Sequence, residues 1–313
     1  TGGVADLDSV QAAAGATLTA AGALTVDGNL AGNTTAGAGN DVTLSGTTIT
    51  LTGTVDGDDI TIDASNDTAA SVITGVVTAA NDIDFNGGNI DATDDVVAGG
   101  DITISAGSFT TATGKDLTAA TGSITIAGAT TVTVTGAGVT EARDGVLITS
   151  SCDVDLGDSF KGTVINGSAA TGKITVDTDL ATGPVTVLTG SGNDTLNLEE
   201  GVVHTIETNG GDDSITVTEV LVGSTIDSGA GADIITETET AVVYTVDGGA
   251  GNDTFTPTAT SSAVLDGGDD TDTLVLAANN FSAQGLSFKN FEVVTATDAT
   301  ISAAQFANDN TFE

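Results

Sequence analysis

A short phrase of apolar residue, threonine, apolar residue recurs along the chain. It appears as Leu24-Thr25-Val26, Val42-Thr43-Leu44, Ile60-Thr61-Ile62, Ile102-Thr103-Ile104, Ile124-Thr125-Ile126 and Ile174-Thr175-Val176, with Ile83-Asp84-Phe85 as a variant. Alternation with period two predicts strands with one buried face. The first residues at 24, 42, 60, 83, 102 and 124 step by 18, 18, 23, 19 and 22. Between them lies a second set, Ile49-Thr50-Leu51, Val72-Ile73, Phe109 and Val132-Thr133-Val134. Two short strands per coil of roughly 20 residues, separated by Gly, Asn and Asp, predict a solenoid. The expectation is an all-β chain folded as a right-handed parallel β-solenoid. Val, Ile and Leu form its inward columns, and Thr, Asn and Asp face outward. Roughly thirteen coils spaced about 4.8 Å apart imply a rod on the order of 60 Å long. A chain of hairpins explains the constant period less well, because hairpins do not need one turn type at one spacing.

No helix of ordinary length is expected. Gln11 to Ala14 is Ala-rich but short, and Ile301 to Ala307 has room for a helical turn or so. Four segments follow: a solenoid over 1–140, an irregular junction over 141–173, a second solenoid over 174–280 and a cap over 281–313. The junction holds Arg143, Lys161, Lys173, Cys152 and Phe160. The cap holds five of the nine phenylalanines, Phe281, Phe288, Phe291, Phe306 and Phe312, which suit an apolar plug over a solenoid end that would otherwise invite pairing.

Composition narrows the class. With 313 residues, 5 Lys and Arg against 44 Asp and Glu, and a formal charge of -39, the surface repels nucleic acid and anionic membranes. The apolar share of 39% is aliphatic and aromatics are 3%, so the core is thin and made of Val, Ile, Leu and Ala. One cysteine, Cys152, excludes an intrachain disulfide framework. No apolar run reaches the length of a membrane-spanning helix. No signal peptide is visible at Thr1, which fits removal, another export route or a piece of a longer chain.

The candidate chemistry lies between Thr189 and Leu276. Five Gly/Asp-rich turns each run into an aspartate and a strand: TGSGNDTLNL from Thr189, NGGDDSITV from Asn209, DSGAGADIIT from Asp227, DGGAGNDTFT from Asp247 and DGGDDTDTLVL from Asp266. The aspartates are Asp194, Asp213, Asp233, Asp253 and Asp272, at steps of 19, 20, 20 and 19. Two residues after each stands Leu196, Ile215, Ile235, Phe255 or Leu274. These turns approximate GGxGxDxUx, where U is a large apolar residue, the calcium-binding β-helix repeat. Glycine permits tight turns with positive φ and convergent carbonyls. Calcium takes about six to eight oxygens from carboxylates and carbonyls. Asp227, Asp247 and Asp266 precede the last three turns, Gly249, Gly251 and Gly268 stand within them, and Asp270 replaces a glycine. These residues are the candidate metal ligands.

In these residues the chain resembles the bacterial repeats-in-toxin (RTX) proteins, and in its overall composition RTX-type surface-layer proteins. The resemblance covers about 90 residues, Thr189 to Leu276. It implies export by a type I route, calcium-driven folding of a parallel β-roll and no catalysis by the repeat. The turns opposite the motif, such as Glu199 to Val203 and Glu219 to Gly223, are not Gly/Asp turns, so one row of ions is expected instead of two. Leu188 and Glu207 stand where later turns carry Asp227, Asp247 and Asp266, which makes Asp247 to Asp272 the strongest part of the row. Earlier acidic turns, at Asp41, Asp56 to Asp59 and Asp82, begin their strands one residue after the Asp and read as ordinary solvated turns.

Other chemistries are weaker. His204 is read on the outward phase of its strand, in line with Ser224 and Tyr244. One Cys and one His cannot build a zinc site. Pectate-lyase-like enzymes share a parallel β-helix, but their catalysis needs grouped basic residues, which are missing here. The Thr column at Thr205, Thr225 and Thr245 resembles an ice-binding rank, but Thr suits any exposed strand position. The expected function is non-enzymatic: an extracellular, bacterial cell-surface protein, calcium-stabilised and assembling with itself into a surface array or filament, with a cell-surface polysaccharide as a potential anchor. An adhesin or RTX passenger segment is the alternative.

Overall fold

The computed structural model describes residues 5–8, 10–11, 15–31, 40–65, 69–127, 131–133, 138–157, 159–199, 201–219, 222–238, 243–258, 261–276, 285–297 and 300. All described elements are strands, and they pair in parallel as a β-solenoid. The chain divides into two units, Thr1–Gly162 and Thr163–Glu313. The division falls inside the 141–173 segment, which carries the strands Gly145–Ile148, Asp153–Asp155, Ser159–Gly162 and Val164–Asn166.

The first unit has three strands per coil, where the sequence reading expected two. One row stacks Val42–Gly46, Ile60–Ala64, Ile83–Ala92, Ile102–Thr111 and Ser123–Ile126, with Val42, Ile60, Ile83, Ile102 and Ile124 in register. A second stacks Leu24–Val26, Ile49–Leu51 and Ser71–Ile73, then continues in the far halves of the two ten-residue strands, through Ile90 and Phe109. Leu24 therefore pairs with Ile49, not with the Val42 row where its spacing placed it. The third row runs through Leu30–Ala31, Val55–Gly57, Val77–Ala79, Val96–Ala98, Leu117–Ala119 and Val139–Ala142. Its second inward position is Gly57, Ala79, Ala98 or Ala119, too small to stand out in a hydrophobicity pattern. Space explains that choice, since a Cβ on Gly57 would meet the Val42 and Ile60 side chains at 3.1 and 3.2 Å.

Inward residues of the first unit are almost wholly sealed; Leu44, Ile62, Phe85, Ile104 and Ile126 are all at 0% exposure. Phe85 and Phe109 pack with ring centroids 4.9 Å apart. Where the long strand Ile83–Ala92 turns from one face to the next, Gly87 takes φ 91° and lies so close to Ala64 that a Cβ would sit 1.8 Å from its carbonyl oxygen.

The second unit has two strands per coil, as the spacing predicts. One row holds Val185–Leu188, His204–Glu207, Thr225–Asp227, Thr245–Asp247, Val264–Asp266 and Ser287–Lys289. The other holds Ile174–Asp177, Thr195–Leu198, Ser214–Val217, Ile234–Glu237, Thr254–Thr256, Thr273–Leu276 and Val293–Ala296. Leu196, Ile215, Ile235, Phe255 and Leu274 face Ile206, Ile226, Val246 and Leu265 as the buried layer. Phe291 closes on Phe255 edge-on at 5.2 Å and on Phe288 at 6.2 Å. Of the expected plug, Phe281, Phe306 and Phe312 lie outside the described residues, as does the 301–307 stretch considered for a helical turn.

Candidate metal-binding ladder

The turns of the second unit are built by left-handed residues at fixed positions. The pairs are Asn209 (φ 62°) with Gly211 (115°), Gly229 (88°) with Gly231 (148°), Gly249 (88°) with Gly251 (129°), and Gly268 (105°) with Asp270 (83°). Glycine at 249 and 251 is dictated by close stacking, because a Cβ would lie 2.0 Å from Gly229 O or 1.8 Å from Gly231 O. Between these pairs Gly210, Ala230, Ala250 and Asp269 bridge in parallel from coil to coil. Gly190 and Gly192 of the first turn do not take the left-handed conformation, so that turn differs from the other four.

This stacking carries the five motif aspartates inside. Asp194, Asp213, Asp233, Asp253 and Asp272 are between 0 and 2% exposed. They form a ladder in which each carboxylate caps the coil before it. Oδ1 of Asp194 accepts the N–H of Ile174 (2.6 Å), and Oδ1 of Asp213 that of Asp194 (2.7 Å). Asp233 accepts from Asp213 (2.8 Å), Asp253 from Asp233 (2.8 Å) and Asp272 from Asp253 (2.9 Å). The neighbouring position caps in the other direction, with Asn193 Oδ1 accepting the N–H of Asp212 (3.0 Å) and Asn252 Oδ1 that of Thr271 (3.0 Å).

The other oxygen of every ladder aspartate, Oδ2, is buried with no hydrogen-bond partner. A buried carboxylate oxygen without a donor is costly, and each one is a place for a proton or a cation. Burial pushes the Asp194, Asp253 and Asp272 carboxyls up to about 6 and that of Asp233 to about 7, against the backbone N–H bonds that favour the anion. Asp213 is raised for the same reason. Asp247 and Asp270 lie near enough to raise Asp253 further.

The remaining candidates stand apart from the ladder. Asp227, Asp247 and Asp266 occupy one register position at the end of their strands, with Glu207 before them and Lys289 after. They line an open groove of about 380 Å³ with Thr225 and Thr245. Lys289 pairs with Asp266, and Asp247 Oδ1 accepts the N–H of Gly249 at 3.2 Å. Among the described residues, no three His, Cys, Asp or Glu side chains converge to hold a metal ion. An ion at a ladder aspartate would draw one carboxylate oxygen from the side chains and the rest from turn carbonyls. That all-oxygen donor set fits a hard cation such as calcium.

The acidic turns of the first unit are different in kind. Asp59, Asp82 and Asp101 also cap neighbouring coils, through the N–H groups of Asp82 (3.2 Å), Asp101 (2.8 Å) and Ser123 (2.7 Å). Those three carboxylates are open to solvent or half-buried. Asp58 departs from the expected solvated turn: it is buried at 5% exposure, and its Oδ1 accepts from Asn81 Nδ2 at 2.9 Å.

Two residues of the second unit depart from the sequence reading. Glu292 extends the ladder one coil beyond Asp272 at the same step of 20, its Oε2 accepting the Asp272 N–H at 2.9 Å. The step alone could have found it, but a Glu in a turn without flanking glycines does not match the motif. His204 is not outward; it is wholly buried, as are Ser224 and Tyr244 in the same column. Parity decides this, because His204 shares the side of Ile206. Its Nδ1 lies 3.0 Å from the Val202 carbonyl and its Nε2 3.0 Å from Thr178 Oγ1. A carbonyl can only accept, so Nδ1 carries the proton and Nε2 accepts from the threonine. Burial lowers the His204 pKa below its usual value, so this histidine favours the fold at neutral pH and withdraws that support as the pH falls below about 6.5. The imidazole signals of the single histidine are expected to show the Nδ1–H tautomer in 15N-resolved NMR and to titrate below the free-histidine midpoint; titration at or above it would contradict this environment.

Compared with known proteins, the chain matches no family model, no curated protein and no solved structure.

Proposed function

We propose that this chain is a calcium-braced structural β-solenoid, a secreted bacterial surface protein that assembles with copies of itself into a surface layer or extracellular filament. The observation that carries the calcium reading is the row of five buried aspartates, each with one oxygen capping the backbone and one without a partner. Such a row costs stability when fully ionised and adds to it when cations fill it. Support for the assembly reading comes from composition. With 44 acidic against 5 basic residues, two copies repel unless cations screen or bridge them. The same charge disfavours nucleic acid as a partner, and calcium is again suited to link the acidic faces to an anionic cell-surface polysaccharide.

The test is a calcium titration of the purified chain followed by light scattering and electron microscopy. Sheets or filaments that form with calcium and disperse in chelator support the proposal. A chain that stays monomeric at high concentration with calcium bound favours the adhesin or passenger reading, in which the repeat only spaces a binding tip.

A further inference from the structure

We propose that the residue five places ahead of each ladder aspartate decides what holds that carboxylate: a hydroxyl at Thr189, Thr208 and Ser228, a calcium ion at Gly248 and Gly267. The cation half of this inference rests on the calcium reading above; the hydroxyl half does not.

The five turns look alike in sequence because of their shared aspartate and glycines. Their first position, however, is Thr, Thr, Ser, Gly and Gly in turn. Thr189, Thr208 and Ser228 are wholly buried. They stand at the turn position where a Cβ on Gly248 or Gly267 would lie 2.5 or 2.6 Å from the Oδ2 of Asp253 or Asp272, and their hydroxyls favour the anionic forms of Asp194, Asp213 and Asp233. Each hydroxyl gives its proton to a carbonyl of the next coil: Thr208 O at 3.2 Å from Thr189 Oγ1, Ser228 O at 2.8 Å from Thr208 Oγ1, and Gly248 O at 3.0 Å from Ser228 Oγ. The Oδ2 atoms of Asp194, Asp213 and Asp233 have no partner in this arrangement. Turned towards that oxygen once the carboxylate is ionised, the hydroxyl would hold it without any ion.

Asp253 and Asp272 have no such donor. Beside Gly248, the Asp253 Oδ2 and the carbonyl oxygen of Gly267 converge on one point, at 2.5 and 2.2 Å from where a Cβ would stand. Beside Gly267, the Asp272 Oδ2 and the carbonyl oxygen of Asn290 do the same, at 2.6 and 2.0 Å. Two acceptor oxygens from successive coils thus share one small space, and neither Oδ2 has a hydrogen-bond donor. Lone pairs brought together in a buried space repel unless a positive charge sits among them, and a carboxylate with turn carbonyls is the donor set calcium takes. In these two turns a Cβ would displace the oxygens, so glycine is required there as long as they stay in place.

The test uses the full chain, stripped of metal and titrated with calcium chloride by calorimetry. The wild type is expected to take one tight ion for each of Asp253 and Asp272. Ser228→Gly and Thr208→Gly are each expected to gain one tight ion, because each removes the local donor and opens the glycine space. Unchanged stoichiometry in both variants, or five equal ions in the wild type, overturns the assignment. Ser228→Ala keeps the Cβ and loses only the hydroxyl; it is expected to melt at lower temperature in chelator and to gain no ion. A Ser228→Ala melt equal to wild type in chelator overturns the hydroxyl half. A wild type that binds no calcium sinks the calcium reading and the cation half together, while the Ser228→Ala melt still reads the hydroxyl half by itself. Should a glycine variant be unfolded without metal, the calcium concentration needed to refold it replaces the calorimetry: a steeper dependence than wild type is expected, and an equal one counts against the proposal.

Discussion

Chelating calcium at about pH 7.5 is expected to melt the second unit, residues 163–313, while the first keeps its β-sheet signal, because among the described residues only the second carries the buried ladder. Each ion bound to the native state alone adds about 2.7 kcal/mol when free calcium stands at about 100 times its Kd. The opposing cost is the ionised ladder itself. The folded carboxyls of Asp194, Asp253 and Asp272 lie near 6 and that of Asp233 near 7, above the 3.8 of an ordinary Asp. A raised folded pKa means that the native state holds more protons than the unfolded chain, so metal-free stability falls as the pH rises from about 4 through about 7. Well below the lower end both states are protonated and the ladder costs nothing; above the upper end Asp194, Asp233, Asp253 and Asp272 are buried anions. Acid should therefore rescue the metal-free fold, with the single buried His204 opposing more weakly. With calcium bound the order reverses, since protons displace the ion. Thermal melts across this range, with and without chelator, check both arms. Equal far-UV circular dichroism and equal melting in chelator and calcium at neutral pH would remove the case for a metal brace.

Replacing Asp253 separates its two oxygens. Asp253→Asn keeps an acceptor for the Asp233 N–H but loses the charge, so in chelator it is expected to be at least as stable as wild type. In calcium it should lose most of the increment that the ion at that turn supplies. Asp253→Ala also strands the buried Asp233 N–H, a cost of about 1–3 kcal/mol in either condition. Asp59→Ala is the control from the first unit: its carboxylate accepts one N–H at 3.2 Å in a partly exposed turn, and its loss should cost about 1 kcal/mol or less with no calcium dependence. Urea midpoints with and without calcium measure all three. An Asp253→Asn chain that retains the full calcium increment would mean that the carboxylate is a backbone cap and nothing more.

The two halves of the chain differ in how far their folds can be read from residues. In the second unit the regular steps between Asp194 and Asp272 yield both strand rows, since every coil repeats the same turn and the same inward Leu, Ile or Phe. In the first unit the third strand row escapes notice. Only its first inward position is large and apolar; the second is Gly57, Ala79, Ala98 or Ala119, which carries little hydrophobic signal because that corner has no room for more. The misplaced Leu24 has the same origin. Rows of equal triplets at nearly equal spacing leave pairing ambiguous until the coil closes, and closure joins Leu24 to Ile49.

Sequence alone determines that the chain is a repeat of short strands, that it carries a formal charge of -39, and that five aspartates recur at one position of the turn. The charge is composition; the other two follow from local periodicity, which the backbone must obey whatever lies around it. Only the tertiary structure decides which acidic groups are buried. Asp253 and Asp247 are six residues apart in one acidic turn, yet one is sealed beneath the next coil and the other lines an open groove. It also decides that Glu292 continues the ladder past Asp272 and that His204 faces in. Burial and the count of donors around an atom are set by neighbours about 20 residues away in the chain, stacked within hydrogen-bond distance by the coil, and no local pattern records them.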